Sequence, residues 1–141
     1  MSEISDLVVV ELVNVLVSGG NESFCKTLVD RGCNVIEFNA LNLPIFGIEL
    51  SEIHHFVKVD EGITNGGQIL ANYFDGTRNV LELAKNNKIP LYLYIDRNSI
   101  ISSPNTLITQ TQIHIDGMNI AEKLAIEYFK NDDVKVLIHT T

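Results

Sequence analysis

The feature that most constrains this chain is an alternation of short β-branched runs with longer amphipathic stretches. LVVVELVNVLV (7–17) is almost wholly apolar, as a strand covered on both faces of a parallel sheet must be. Ser18, Gly19, Gly20 and Asn21 break it, and Phe24, Cys25, Leu28 and Val29 then recur at helical spacing until Gly32. NVIEF (34–38) follows as a second strand, so the chain opens β-α-β, with 12–17 and 35–38 expected as neighbouring central strands running parallel. IHHFVKV (53–59) reads as a further strand between turn residues. From Gly66 onward Ile69, Leu70, Tyr73, Phe74, Val80, Leu81 and Ala84 keep a 3.6 period, which predicts one long helix running through Gly76. That glycine costs a helix about 1 kcal/mol, which points to close packing there. A strand entered at Pro90 (91–95), a polar loop (96–105), a short strand (107–115), an amphipathic helix (120–129) and a last strand (134–139) complete the reading. Strands alternating with helices imply a mostly parallel sheet with helices on both faces, here a single α/β, Rossmann-like three-layer domain over residues 1–141.

A length of 141 residues suits one domain with one core. The net charge is −8 and the ten Lys and Arg are scattered, which argues against nucleic-acid binding through phosphates. Cys25 and Cys33 fit neither a redox pair nor a zinc knuckle and read as reduced core thiols. The run 7–17 is interrupted by Glu11 and Asn14, is too short to span a bilayer and lacks a basic region before it. No membrane partner is expected, and the expected location is cytoplasmic. Adjacent residues of a strand point to opposite faces, so His54 and His55 cannot chelate one metal and read as ordinary imidazoles at a strand edge; no metal site is expected. His114 and Asp116 have the spacing of a general-base pair on a strand, a spacing that chance also produces.

Three segments in order resemble the extended short-chain dehydrogenase/reductase family, the sugar-nucleotide epimerases and reductases: VLVSGGNESFCKTLVDRGCNVIEFN (15–39), FDGTRNVLELAKNNKIPLYLYID (74–96) and AEKLAIEYFKNDDVKVLIH (121–139). They cover about half of the chain. The resemblance implies a Rossmann sheet that binds NAD(P), with Ser18, Gly19, Gly20, Asn21 and Asn39 as the cofactor-facing residues. Laid on the family's GGxGxxG pattern, however, the chain puts Glu22 and Cys25 where two glycines let backbone approach the pyrophosphate. A carboxylate beside a helix N-terminus satisfies the helix dipole and repels phosphate. Asn39 stands where the family places a ribose-binding acid. His114 falls at the family's catalytic Tyr, Met118 at its Lys, and Tyr73 at its helix Asn, while Asp96 and Ser99 follow the strand after which the family places a Ser or Thr. If 68–74 were instead a strand, DGT before a helix resembles the Lonely-guy group of nucleotide-binding proteins, in which Gly-Thr meets phosphate.

The expected function is a non-catalytic, degenerate Rossmann-like domain without cofactor that acts through protein contacts, either with another protein or as a homodimer through helices 66–86 and 117–130. The alternatives are an NAD(P)-like nucleotide or nucleotide-sugar binder, or an enzyme rebuilt around Asp96, Ser99 and His114.

Overall fold

The computed structural model describes residues 13–102 and 108–141. Its elements are β1 (Asn14–Ser18), α1 (Glu22–Asp30), β2 (Asn34–Phe38), β3 (Glu52–Val57), α2 (Gly66–Asn87), β4 (Leu91–Ile95), α3 (Asn98–Ser102), α4 (Ile108–Asn131) and β5 (Val136–Thr140). The strands form one sheet in the order β2-β1-β3-β4-β5, and every pairing is parallel. This is one of the two common doubly wound orders, 2-1-3-4-5. The α/β, Rossmann-like class expected from the sequence is the one observed.

Alternation along β1 divides the core. Val15 and Val17 pack on one face with Leu28 of α1, where the half-buried Cys25 and Cys33 join them as free thiols. Leu16 points to the other face, into a larger cluster built from Ile53, Leu91, Leu93 and Ile95 of the sheet, Val80 and Leu81 of α2, and Met118, Ala121 and Ala125 of α4. Each fully buried leucine here contributes about 2 kcal/mol through the apolar area it removes from water.

Caps place the helix ends. The Asn21 side chain accepts from the Phe24 N–H at 2.8 Å to start α1, and Gly32, at φ +87°, lets the chain turn out of it. Asn65 accepts from Gln68 N–H at 3.0 Å to start α2, which ends where Lys88 adopts the left-handed conformation. No helix among the described residues is long and apolar enough to cross a membrane.

Four expectations need correction. β2 is the edge strand of the sheet, not a central one, because the chain returns past β1 to form β3. His54 and His55 therefore sit on the central strand rather than at an edge, and both are buried. Residues 108–115 form the first turns of α4, not a strand, and Leu107 lies outside the described residues. The alternating ITQTQIHI imitates a strand, but the buried positions His114, Gly117, Met118, Ala121 and Ala125 recur every three or four residues, and that period fits a helix packed along one side. The polar loop after β4 contains α3. Residues 68–74 are helical, which removes the Lonely-guy alternative. Residues 7–12 of the first predicted strand lie outside the described residues.

Candidate ligand-binding cleft

Because the chain leaves β1 toward β2 and later returns to the other side of β1, the loops after these strands diverge at the β1–β3 boundary. Such a switch point leaves a crevice at the carboxyl ends of the strands. A cleft of about 500 Å³ opens there, between Ser18 and Gly19 after β1, residues 38–41 after β2, 55–61 on and after β3, and the α2 face that carries Asn72, Tyr73, Gly76 and Thr77. His114 of α4 reaches the same space. Phe38, Leu41, Phe56, Val57, Ile63 and Ile69 supply apolar wall. The size and mixed lining are those of a small-molecule site.

Four polar groups carry the chemistry. The Tyr73 hydroxyl lies 2.7 Å from Nδ1 of His114. Burial and the nearby Asp60 carboxylate push the Tyr73 phenol well above its usual range, and burial pushes the His114 imidazole down. A protonated phenol donating to Nδ1 of a neutral ring satisfies both groups and assigns the ring proton to Nε2. His55 is pushed down to about 4 by burial, so it too is neutral at pH 7. Its Nδ1 has no hydrogen-bond partner, and neither has Oγ1 of the fully buried Thr77. A buried polar atom left unpaired costs about 1–3 kcal/mol, and folded proteins retain few of them. The charged residues of the lining are Lys58, Asp60 and Glu61.

The residues singled out in the sequence divide. Ser18, Gly19 and Asn39 line the cleft. Gly19 needs its freedom: its φ is +78°, and a Cβ there would lie 3.1 Å from the Phe56 carbonyl oxygen. Gly20 is a packing residue, since a Cβ on it would fall 2.5 Å from Val17 Cγ1 and 3.2 Å from the Phe56 ring. The Asn39 side chain is occupied by the Leu41 N–H at 2.9 Å. Asn21, spent on its cap, lines a neighbouring cleft of about 290 Å³ together with Asp96. Ser99 donates its hydroxyl to the Asp96 carbonyl oxygen at 2.6 Å and accepts from the Val59 N–H at 3.1 Å, while its own N–H donates to Asp96 Oδ1 at 3.2 Å. Asp96 and Ser99 thus close the start of α3, and His114 stands apart from them in the main cleft. Asp116 does not orient His114; it accepts from Gln112 Nε2 at 2.9 Å along the helix. The sequence does not single out His55 as a site residue, marks Tyr73 only as standing at the resembled family's helix Asn, and marks Thr77 only in the Lonely-guy alternative. The sequence signals they carried were a histidine on an apolar strand, a Gly-Thr pair and a tyrosine four residues earlier on one helix face.

The turn from β1 to α1 does not fit a dinucleotide pyrophosphate. The Phe24 N–H that would meet phosphate is capped by Asn21, Glu22 brings a carboxylate into the first turn, and Gly20 is packed against Phe56. Among the described residues no three His, Cys, Asp or Glu side chains gather as a metal site.

No family model matches the chain, and no curated protein does. Solved structures do. A UDP-galactose 4-epimerase is similar over 89% of this chain and 54% of its own, with 15% identity and a TM-score of 0.65. A GDP-L-fucose synthetase from Naegleria fowleri bound to NADP is similar over 95% of this chain and 54% of its own, with 9% identity and a TM-score of 0.62. The chain spans about half the length of these structures, and what it shares with them is the Rossmann-like fold.

Proposed function

We propose that this chain is a small-molecule-binding domain whose ligand, built of a base and a sugar, sits in the cleft at the switch point, and that it carries out no hydride transfer. The observation that carries this reading is the cleft of about 500 Å³ at the switch point, whose mixed lining sets the Tyr73 hydroxyl 2.7 Å from His114 Nδ1 beside an apolar wall. Two structures of the same fold are named for nucleotide-sugar chemistry, which supports a ligand of this class. The Tyr and Lys pair of the resembled reductases has no counterpart here, as His114 and Met118 stand in those places. The two unpaired thiols support a cytoplasmic setting. The test is a thermal-shift screen with nucleosides, nucleotides, nucleotide sugars and NAD(P)(H), followed by calorimetry. A ligand at 100 times its Kd adds about 2.7 kcal/mol. A chain indifferent to the whole panel refutes the reading.

A second reading is the homodimer. Part of the apolar surface of α2 and α4 is used within the chain: Tyr73 is buried, and Ala121 and Ala125 are sealed in the core. What still supports it is that Phe74 of α2 and Ile126 and Phe129 of α4 stand exposed.

A further inference from the structure

We propose that Lys58 holds the phosphate of a nucleoside 5′-monophosphate, at the waist where the main cleft meets its smaller neighbour. This deepens the reading above and rests on it. Gly19, Phe56 and Lys58 line both clefts, so the two spaces share a boundary at the carboxyl ends of β1 and β3. That boundary carries a lysine and no carboxylate: Asp60 and Glu61 line the main cleft alone, and Asp96 lines only the smaller one. Asp60 Oδ1 is taken up by the Gly62 N–H at 3.0 Å, and Asp96 Oδ1 by the Ser99 N–H at 3.2 Å and the Thr141 hydroxyl at 3.4 Å. Among the described residues Lys58 is the only Lys or Arg in the lining of either cleft, is exposed, and enters no ion pair. Its ammonium is thus within reach of a ligand and not committed to the fold. A base on the apolar wall of Phe38, Leu41 and Ile63 occupies the larger space; its 5′-phosphate stands one pentose away, and the cation that borders this space is Lys58. The phosphate position usual for this fold, the turn from β1 into α1, has its Phe24 N–H bound by Asn21 and the Glu22 carboxylate in the first turn. One cation answers one phosphate. A second phosphate finds no further Lys or Arg in either lining, and the smaller cleft that it would enter holds Asp96.

Calorimetry on the full chain with adenosine, guanosine, cytidine and uridine, each beside its 5′-monophosphate and 5′-diphosphate, is the experiment. At least one monophosphate should bind about fivefold or more tightly than its nucleoside in dilute buffer, a gain that salt near 0.5 M should reduce to about twofold or less, as for any charge pair open to water. The matching diphosphate should gain less than about twofold beyond the monophosphate. Lys58→Met should bring the monophosphate down to the affinity of its nucleoside, and Lys58→Arg, which keeps the charge, should preserve the gain. A monophosphate that binds no more tightly than its nucleoside, a gain that survives Lys58→Met, or a diphosphate about tenfold tighter than the monophosphate overturns the proposal. In each of these cases binding of any member of the panel leaves the broader function standing. Silence toward the entire panel removes both.

Discussion

The Tyr73 hydroxyl and the His114 Nδ1 meet at 2.7 Å across 41 residues of sequence, joining α2 to α4 inside the cleft. The two rings stand nearly perpendicular, at 89°, so the contact is edge to face as well as polar. Tyr73→Phe keeps the ring and leaves the imidazole nitrogen unpaired. The expected loss is about 1–2 kcal/mol in urea unfolding. In a double-mutant cycle with His114→Leu the two changes should couple by more than about 0.5 kcal/mol. Strict additivity would show that the bond contributes nothing.

Two glycines on the facing helices should respond oppositely to alanine. A Cβ on Gly117 would lie 2.1 Å from the Tyr73 ring, so the helices or the tyrosine must move. Gly117→Ala should destabilise by about 1–3 kcal/mol. A Cβ on Gly76 would find only ordinary contacts, 3.8 Å from Ala40 and Leu41 and 3.9 Å from His55. Gly76→Ala should therefore stabilise by about 0.4–1 kcal/mol through helix propensity and the unfolded state, while narrowing the cleft. The close helix contact that the sequence suggested at Gly76 occurs instead at Gly117. Thermal melts of both variants check the pair of signs.

The buried His55 gives stability a pH dependence of definite sign. Its folded-state pKa is near 4, below an ordinary value of 6.5. The unfolded chain therefore binds more protons between these values, and stability is present in full above about pH 6.5 and is lost as pH falls toward 4. The loss from this group amounts to roughly 3 kcal/mol. Burial shifts His114 in the same direction. Urea midpoints measured from pH 7 to 4 should fall less steeply for His55→Leu than for the native chain. Parallel profiles would mean that His55 is protonated within the fold.

Glu22 and Cys25 stand where the resembled family has two glycines, so NADPH should bind the native chain weakly or not at all. Exchanging both for glycine removes a carboxylate from the first turn of α1 and a side chain whose Sγ lies 3.7 Å from Glu37. NADPH affinity should rise about tenfold in calorimetry, at some cost in helix stability. Micromolar NADPH binding by the native chain would contradict the reading of this turn.

Association through the outer sides of α2 and α4 is tested by one charge. Phe74 is 38% exposed, with the Arg78 guanidinium 5.7 Å from its ring centre. In light scattering over a dilution series, a dimer built on this surface should dissociate in Phe74→Glu without unfolding. A native chain monomeric at high micromolar concentration rejects the dimer.

Element types are legible in the residues wherever a local period matches burial. Residues 34–38 and 91–95 are strands and Gly66–Asn87 is one helix, because each presents its apolar residues at the spacing its own geometry buries. Local pattern failed at 108–115, where β-branched residues alternating with Gln and His suggest a strand and packing of His114, Gly117 and Met118 along one line decides for helix. The tertiary structure alone placed β2 at the edge and β3 at the centre, since strand order is set by which crossovers the chain makes and no residue records it locally. That order made the site. It put His55 on a central strand facing α2, brought Thr77 to the same wall, and set Tyr73 against His114, while leaving Asp96 and Ser99 to close the start of α3. Which polar atom remains without a partner depends on every neighbour around it, so the unpaired His55 Nδ1 and Thr77 Oγ1 exist only at the level of the packed chain.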